Sequence, residues 1–126
     1  MAIEKSIIKI NHNLAVVKIV STGNAVGRSV INLSTDLLLP ANETTSGTCK
    51  VHITQLYWSV ARTKNAVVSR NDAGLDKGQY FLTDTGNFRF NSFRDTSHED
   101  GSIAVDFDGD GMVILALSKE QGYVLQ

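Results

Sequence analysis

Apolar and polar positions alternate along this chain with a period of two, the pattern of strands and not of helices. Residues 14 to 20, LAVVKIV, put Ala15, Val17 and Ile19 on one side and Leu14, Val16 and Lys18 on the other. Their β-branched density favours a strand, and its apolar start on both sides fits a strand covered on both faces. Residues 3 to 10, IEKSIIKI, predict a strand before it, and Asn11-His12-Asn13 a turn between the two. Residues 29 to 33, SVINL, predict a short strand. Ser34-Thr35-Asp36 then opens a single helical turn, capped by Ser34 or Asp36 and stopped by Pro40. Residues 40 to 48, PANETTSGT, hold no periodic apolar positions and read as an exposed loop.

Residues 50 to 60, KVHITQLYWSV, form the longest strand candidate. Val51 and Ile53 share one phase; Leu56, Trp58 and Val60 share the other. A β-bulge near Thr54-Gln55 produces that slip, because one extra residue flips every later side chain; burial of both faces is the alternative. Residues 66 to 70, the QYFL segment and the NFRFNSF segment give further short strands, with Phe88 and Phe90 in phase and Phe93 out of it. Residues 94 to 100, RDTSHED, read as a polar loop. Residues 101 to 119 then predict a hairpin. Ile103, Val105 and Phe107 alternate on one arm and Val113, Leu115 and Leu117 on the other, with Gly109 and Gly111 supplying positive φ in an acidic turn. The remaining residues form a tail that packs through Tyr123 and Leu125.

About eight short strands joined by turn chemistry predict an all-β antiparallel β-sandwich, jelly-roll-like, with a small barrel as the neighbouring solution. At 126 residues, 1–126 reads as a single domain. Pairing is not readable beyond adjacent hairpins. A net charge of −1, with Lys and Arg spread along the chain, gives no electrostatic footprint for nucleic acid or an anionic membrane. The N-terminus mixes charge with apolar residues and lacks the h-region of a secretory leader, and no apolar run reaches the roughly 20 residues of a membrane helix. Cys49 is the one cysteine, so no internal disulfide forms and a reducing compartment suits the chain.

Candidate chemistry is sparse. Asp106, Asp108, Asp110 and Gly111 match the first positions of a calcium loop, but the position that should hold a bidentate Glu is Leu117 and the flanks are strands. A plain turn is the simpler reading, with calcium as its rival. His12, His52 and His98 lack zinc-ligand spacing. Cys49 and His52, three apart on a strand, face opposite sides, so Cys49 reads as a packing residue or a surface thiol. His98-Glu99-Asp100 reads as a solvated loop before an acid–base cluster. No Gly-x-Ser-x-Gly elbow, phosphate loop or dinucleotide fingerprint is present in the sequence. Tyr57 and Trp58, with Phe81, Phe88, Phe90 and Phe93, form either an aromatic binding face or, preferentially, sandwich core. Arg89 between Phe88 and Phe90 has the look of an RNA-binding strand, against which the near-neutral charge weighs. No catalytic, cofactor-binding or metal-binding residue is therefore assigned.

Four passages carry a resemblance: AIEKSIIKINHNLAVVKI, STDLLLPANET, VHITQLYWSV and the closing strands with ILALSKEQGY. Over about two thirds of the chain they resemble small structural proteins of tailed phages of marine bacteria, cyanophages among them. Residues 71 to 100 depart from that pattern. The resemblance implies a non-enzymatic virion component, first a capsid decoration or cement protein on the outer surface of the head. It implies a homotrimer that binds the major capsid protein or other virion proteins, is made in the host cytoplasm and resides in the virion. It carries over no catalytic residue. A neck or tail component is the alternative, and a carbohydrate-binding sandwich is the reading from a different class. The strand at residues 3 to 10 is a candidate for addition to a neighbour's sheet, its simpler role being an ordinary strand of the same chain.

Overall fold

The computed structural model describes residues 2–40, 42–90 and 96–125. Those residues form nine strands: β1 (Ala2–Ile10), β2 (Leu14–Thr22), β3 (Gly27–Ile31), β4 (Glu43–Val60), β5 (Asn65–Asp72), β6 (Leu75–Thr83), β7 (Thr85–Arg89), β8 (Ser102–Phe107) and β9 (Gly111–Leu125). They build two antiparallel sheets, one ordered β1-β2-β9-β4-β7 and the other β3-β8-β5-β6. The chain is an all-β sandwich. Strands β2-β9-β4-β7 against β3-β8-β5-β6 are the eight strands of a jelly roll, and β1 widens the first sheet.

The inward phases are those of the sequence pattern. Ala15, Val17 and Ile19 on β2, Val113, Leu115 and Leu117 on β9, and Ile103, Val105 and Phe107 on β8 are buried in one core. On β4 the pairing with β9 slips between Ile53 and Gln55, so Val51, Ile53, Leu56 and Val60 all point inward. Thr54 is the extra residue. Its hydroxyl donates to Ala116 O at 3.1 Å and its carbonyl accepts from Phe90 N at 3.1 Å. The expected bulge is there, with its backbone satisfied.

Four expectations are corrected. Residues 43 to 48 are not a loop. They start the 18-residue β4, and Glu43, Thr44 and Thr45 pair with Leu125, Val124 and Tyr123. The tail is therefore strand, with Tyr123 buried and Leu125 exposed. Residues 101 to 119 do not form a hairpin. β8 lies between β3 and β5, whereas β9 is the middle strand of the other sheet, so the acidic turn crosses from sheet to sheet. Gly109 and Gly111 do not have positive φ. Gly109 is glycine for space, since a Cβ there would lie 2.6 Å from Lys64 Cγ. β1 pairs with β2 of its own chain, as an ordinary edge strand with a bulge between Ile7 and Lys9. Phe93, Arg94, Asp95 and Gln126 lie outside the described residues.

Candidate interaction surface

The carboxylates of the acidic turn diverge. Asp106 accepts from Arg28 Nε at 2.8 Å and Nη2 at 2.9 Å. Asp108 Oδ1 accepts from Asn65 N at 2.6 Å, and Asp110 Oδ1 accepts from Asn24 N at 2.6 Å. Asp106 thus bridges to β3 across the sheet, whereas Asp108 fastens the start of β5 and Asp110 the turn between β2 and β3. Among the described residues no group of three or more His, Cys, Asp or Glu is arranged to hold a metal ion.

The histidines are likewise separately engaged. His12 Nδ1 is 2.6 Å from Glu43 Oε2, and His98 Nδ1 is 3.0 Å from Asp72 Oδ2. His52 lies between two carboxylates, with Nε2 2.8 Å from Glu99 Oε2 and Nδ1 3.1 Å from Glu120 Oε1. His98, Glu99 and Asp100 therefore do not work as one cluster. Cys49 is a buried packing residue, and burial pushes its thiol above the usual range.

The outer faces of the two sheets differ. On the four-stranded sheet, Arg28 of β3 reaches Asp106 on β8 and Asp76 at the start of β6, where Nη2 to Oδ2 is 2.5 Å. The two carboxylates, Asp106 first, hold its guanidinium charged above the usual arginine range. This ion bridge dresses that face in polar groups. On the five-stranded sheet His52 of β4 meets Glu120 of β9 at 3.1 Å, to one side of the Gln55–Ala116 pair. The outward residues of β2 and β9 alternate strictly with the core set, leaving Val16, Val20, Met112, Ile114 and Ala116 half-exposed. Ile8 of β1 and Tyr57 of β4 flank them, 54% and 38% exposed, enough to stand as rims on either side. The result is a shallow apolar groove of about 630 Å³ with Met112 and Ile114 on its floor.

Register fixes the layout. Lys18, Ile114, Tyr57 and Asn87 form one row across β2, β9, β4 and β7. Val20, Met112, Ser59 and Thr85 form the next row, and Val16, Ala116, Gln55 and Arg89 the row on the other side. Gln55 holds Tyr57 in place, its amide oxygen accepting from the Tyr57 hydroxyl and from Arg89 Nη2 at 3.0 Å. The centre is apolar and the margin polar, the anatomy of a contact surface.

The aromatic residues divide between core and surface. Trp58 packs against the core, its indole donating to Thr83 O at 2.9 Å and its ring filling the space above Gly86. Tyr80 and Phe90 are partly buried and meet edge to face. Phe81, at 72% exposed, and Phe88 are not core, contrary to the preferred sequence reading. Among the described residues β6 and β7 are the last strands of their sheets, so these rings lie at the edge of the sandwich.

No family model matches the chain, and no curated protein matches it. Among solved structures it is similar to the KdgF from Halomonas sp., at 15% sequence identity and a TM-score of 0.40, over 94% of this chain and 80% of that one.

Proposed function

We infer that this chain is a non-enzymatic structural protein that works by covering and being covered. Its setting is the virion of a tailed phage, first as a decoration or cement protein on the outer surface of the head, after synthesis in the host cytoplasm. The observation that carries the reading is the apolar outer face of the five-stranded sheet. Exposed contiguous apolar surface is a standing cost in water, and a surface protein that binds in many copies turns that cost into adhesion. The resemblance of the strand segments to phage structural proteins supports the setting. A neck or tail position would use the same face.

The test is a density map of intact particles of the phage encoding the chain, with mass spectrometry of their proteins. Copies on the head surface, seated through the Tyr57–Ile114 face or the Phe81–Phe88 edge, are expected. A particle without copies ends the reading. A second reading has its own observation, the exposed Phe81 and Phe88 beside a cleft of about 350 Å³ that Trp58 and Gln79 also line. That edge suits the face of a sugar ring, and glycan binding lost in Phe81→Ala would favour a carbohydrate-binding module over a virion protein.

A further inference from the structure

We propose that a cavity of about 280 Å³ beside the end of β3 is a binding site for one small polyhydroxylated unit, a monosaccharide or a terminal sugar residue. It shares no lining residue with the apolar groove or with the cleft at the Phe81–Phe88 edge, so it is independent of both earlier readings.

The walls are fastened through their backbones. Residues 32–34, just after β3, form the first. Asp36 Oδ2 accepts from Asn32 N at 2.8 Å, and the Tyr123 hydroxyl donates to Leu33 O at 2.6 Å. Residues 47–49 form the second, where the ladder between β4 and β9 opens. Thr45 pairs with Tyr123 and Lys50 with Gln121, so residues 46–49 stand opposite Gly122 alone. A Cβ at 122 would lie 2.7 Å from Cys49 Cα and from Thr48 O, so glycine there admits the widened strand. Irregularities of this kind re-aim side chains out of the ladder and recur beside binding sites. Asp100 and Ser102 form the third wall. Arg70 Nη2 donates to Glu99 O and Gly101 O on either side of Asp100, each at 2.8 Å, and Ser102 pairs with Asn71.

The polar side chains of these walls are uncommitted. Asn32, Ser34, Thr48, Asp100 and Ser102 make no side-chain hydrogen bond or ion pair among the described residues. They bring one amide, three hydroxyls and one carboxylate to a single cavity whose backbone is already set, so little ordering is left for binding to drive. The hydroxyls and the amide both donate and accept, whereas the carboxylate only accepts. Ligand hydroxyl groups match that set. A ligand ammonium would satisfy Asp100 but, having only donors, would leave the Asn32 amide N–H groups unmatched. No Lys, Arg or His lines the cavity, and the one acidic group repels an anion. Leu33 and Cys49 are buried and supply an apolar floor for the C–H face of a ring. The volume falls just under the roughly 300–1,000 Å³ of pockets for drug-sized ligands, which limits the occupant to one small unit.

Amide-resolved NMR of the intact chain, titrated with glucose, galactose, mannose and N-acetylglucosamine, tests this. At least one sugar is expected to shift the amides of residues 32–34, 47–49 and 100–102 saturably. Asp100→Ala should weaken that sugar about tenfold, the effect of losing a hydrogen bond to a charged group. Its thermal transition should not move, because the Asp100 side chain holds nothing in the fold. Should Asp100→Ala fold poorly, Thr48→Val carries the same test, removing one hydroxyl and keeping the branched shape. No shift with any of these sugars, or undiminished affinity in both variants, would overturn the site. Shifts centred on Phe81 and Phe88 would give the sugar to the aromatic edge, and shifts with calcium chloride alone would make the cavity a cation site; either result overturns the proposal.

Discussion

Lys119 and Glu43 have no exposed side-chain surface, and their ionised ends meet at 2.5 Å. Lys119 Nζ also donates to Asn11 O at 3.0 Å and lies 4.5 Å from the centre of the Tyr123 ring. Glu43 in turn accepts from Leu39 N at 3.0 Å and meets His12. Two buried charges this well satisfied add little over apolar replacements, but removing one strands the other. Lys119→Met is therefore expected to cost about 3–5 kcal/mol in urea unfolding. Adding Glu43→Gln should return part of that loss, and strict additivity of the two changes would show that they do not act as a pair. The sequence did carry a sign of this site. Lys119 is in phase with Val113, Leu115 and Leu117, and Arg70 is in phase with Ala66 and Val68, so alternation puts both charges inside. Arg70 there donates to Val51 O, Glu99 O and Gly101 O, joining the two sheets through carbonyls. What the sequence withheld is the partners, which lie up to 108 residues away.

At the scale of elements, strands whose side chains alternate were legible and strands made of small polar residues were not. Glu43, Thr44 and Thr45 bear no apolar period, yet they are strand because the end of β9 lies beside them to complete the ladder. The 101–119 segment shows the converse. Local pattern gave both strands correctly, but whether neighbours in sequence pair or change sheets depends on the whole jelly roll. The bulge at Thr54 is the one irregular feature that the pattern alone located, because it leaves a phase error in the apolar residues. It yields a strong prediction. Deleting Thr54 would put either Val51 and Ile53 or Leu56, Trp58 and Val60 on the outer face of the sheet. Val51 and Leu56 are almost wholly buried, and losing such contacts at two or three positions costs several kcal/mol each. That sum is comparable to the usual stability of a domain, about 5–15 kcal/mol. The deletion variant should show no cooperative thermal transition by circular dichroism. Native-like cooperative melting would mean that the bulge does not set the phase of β4.

Taken whole, the molecule is a jelly roll whose ends and edges are tied by carboxylates. Glu43 anchors the start of β4 to Lys119 in the middle of β9 and to the β1–β2 turn, Asp76 ties the β5–β6 hairpin to β3 through Arg28, and Glu99 ties the segment before β8 to β4. All three titrate below the ordinary carboxylate range, each for its own reason. Burial pushes Glu43 up, but the hydrogen bonds from Lys119, Leu39 N and His12 outweigh it. Hydrogen bonding to Arg28 lowers Asp76; hydrogen bonds from His52 and then Lys50 lower Glu99. A carboxyl whose folded pKa lies below its unfolded one binds fewer protons folded than unfolded. The stability it contributes is full above the unfolded value, about 3.9 for Asp and 4.3 for Glu, and drains away as pH falls through the folded value. The urea midpoint is thus expected to be flat above pH ~5 and to fall steadily below it. Salt separates the contributors. The Arg28 bridge is open to solvent and is screened, whereas the Lys119–Glu43 pair is closed to it, so moderate salt should shrink the acid-dependent loss without abolishing it. In Lys119→Met the salt-resistant part should vanish. A midpoint that holds down to pH ~3 would show that these ties do not govern stability.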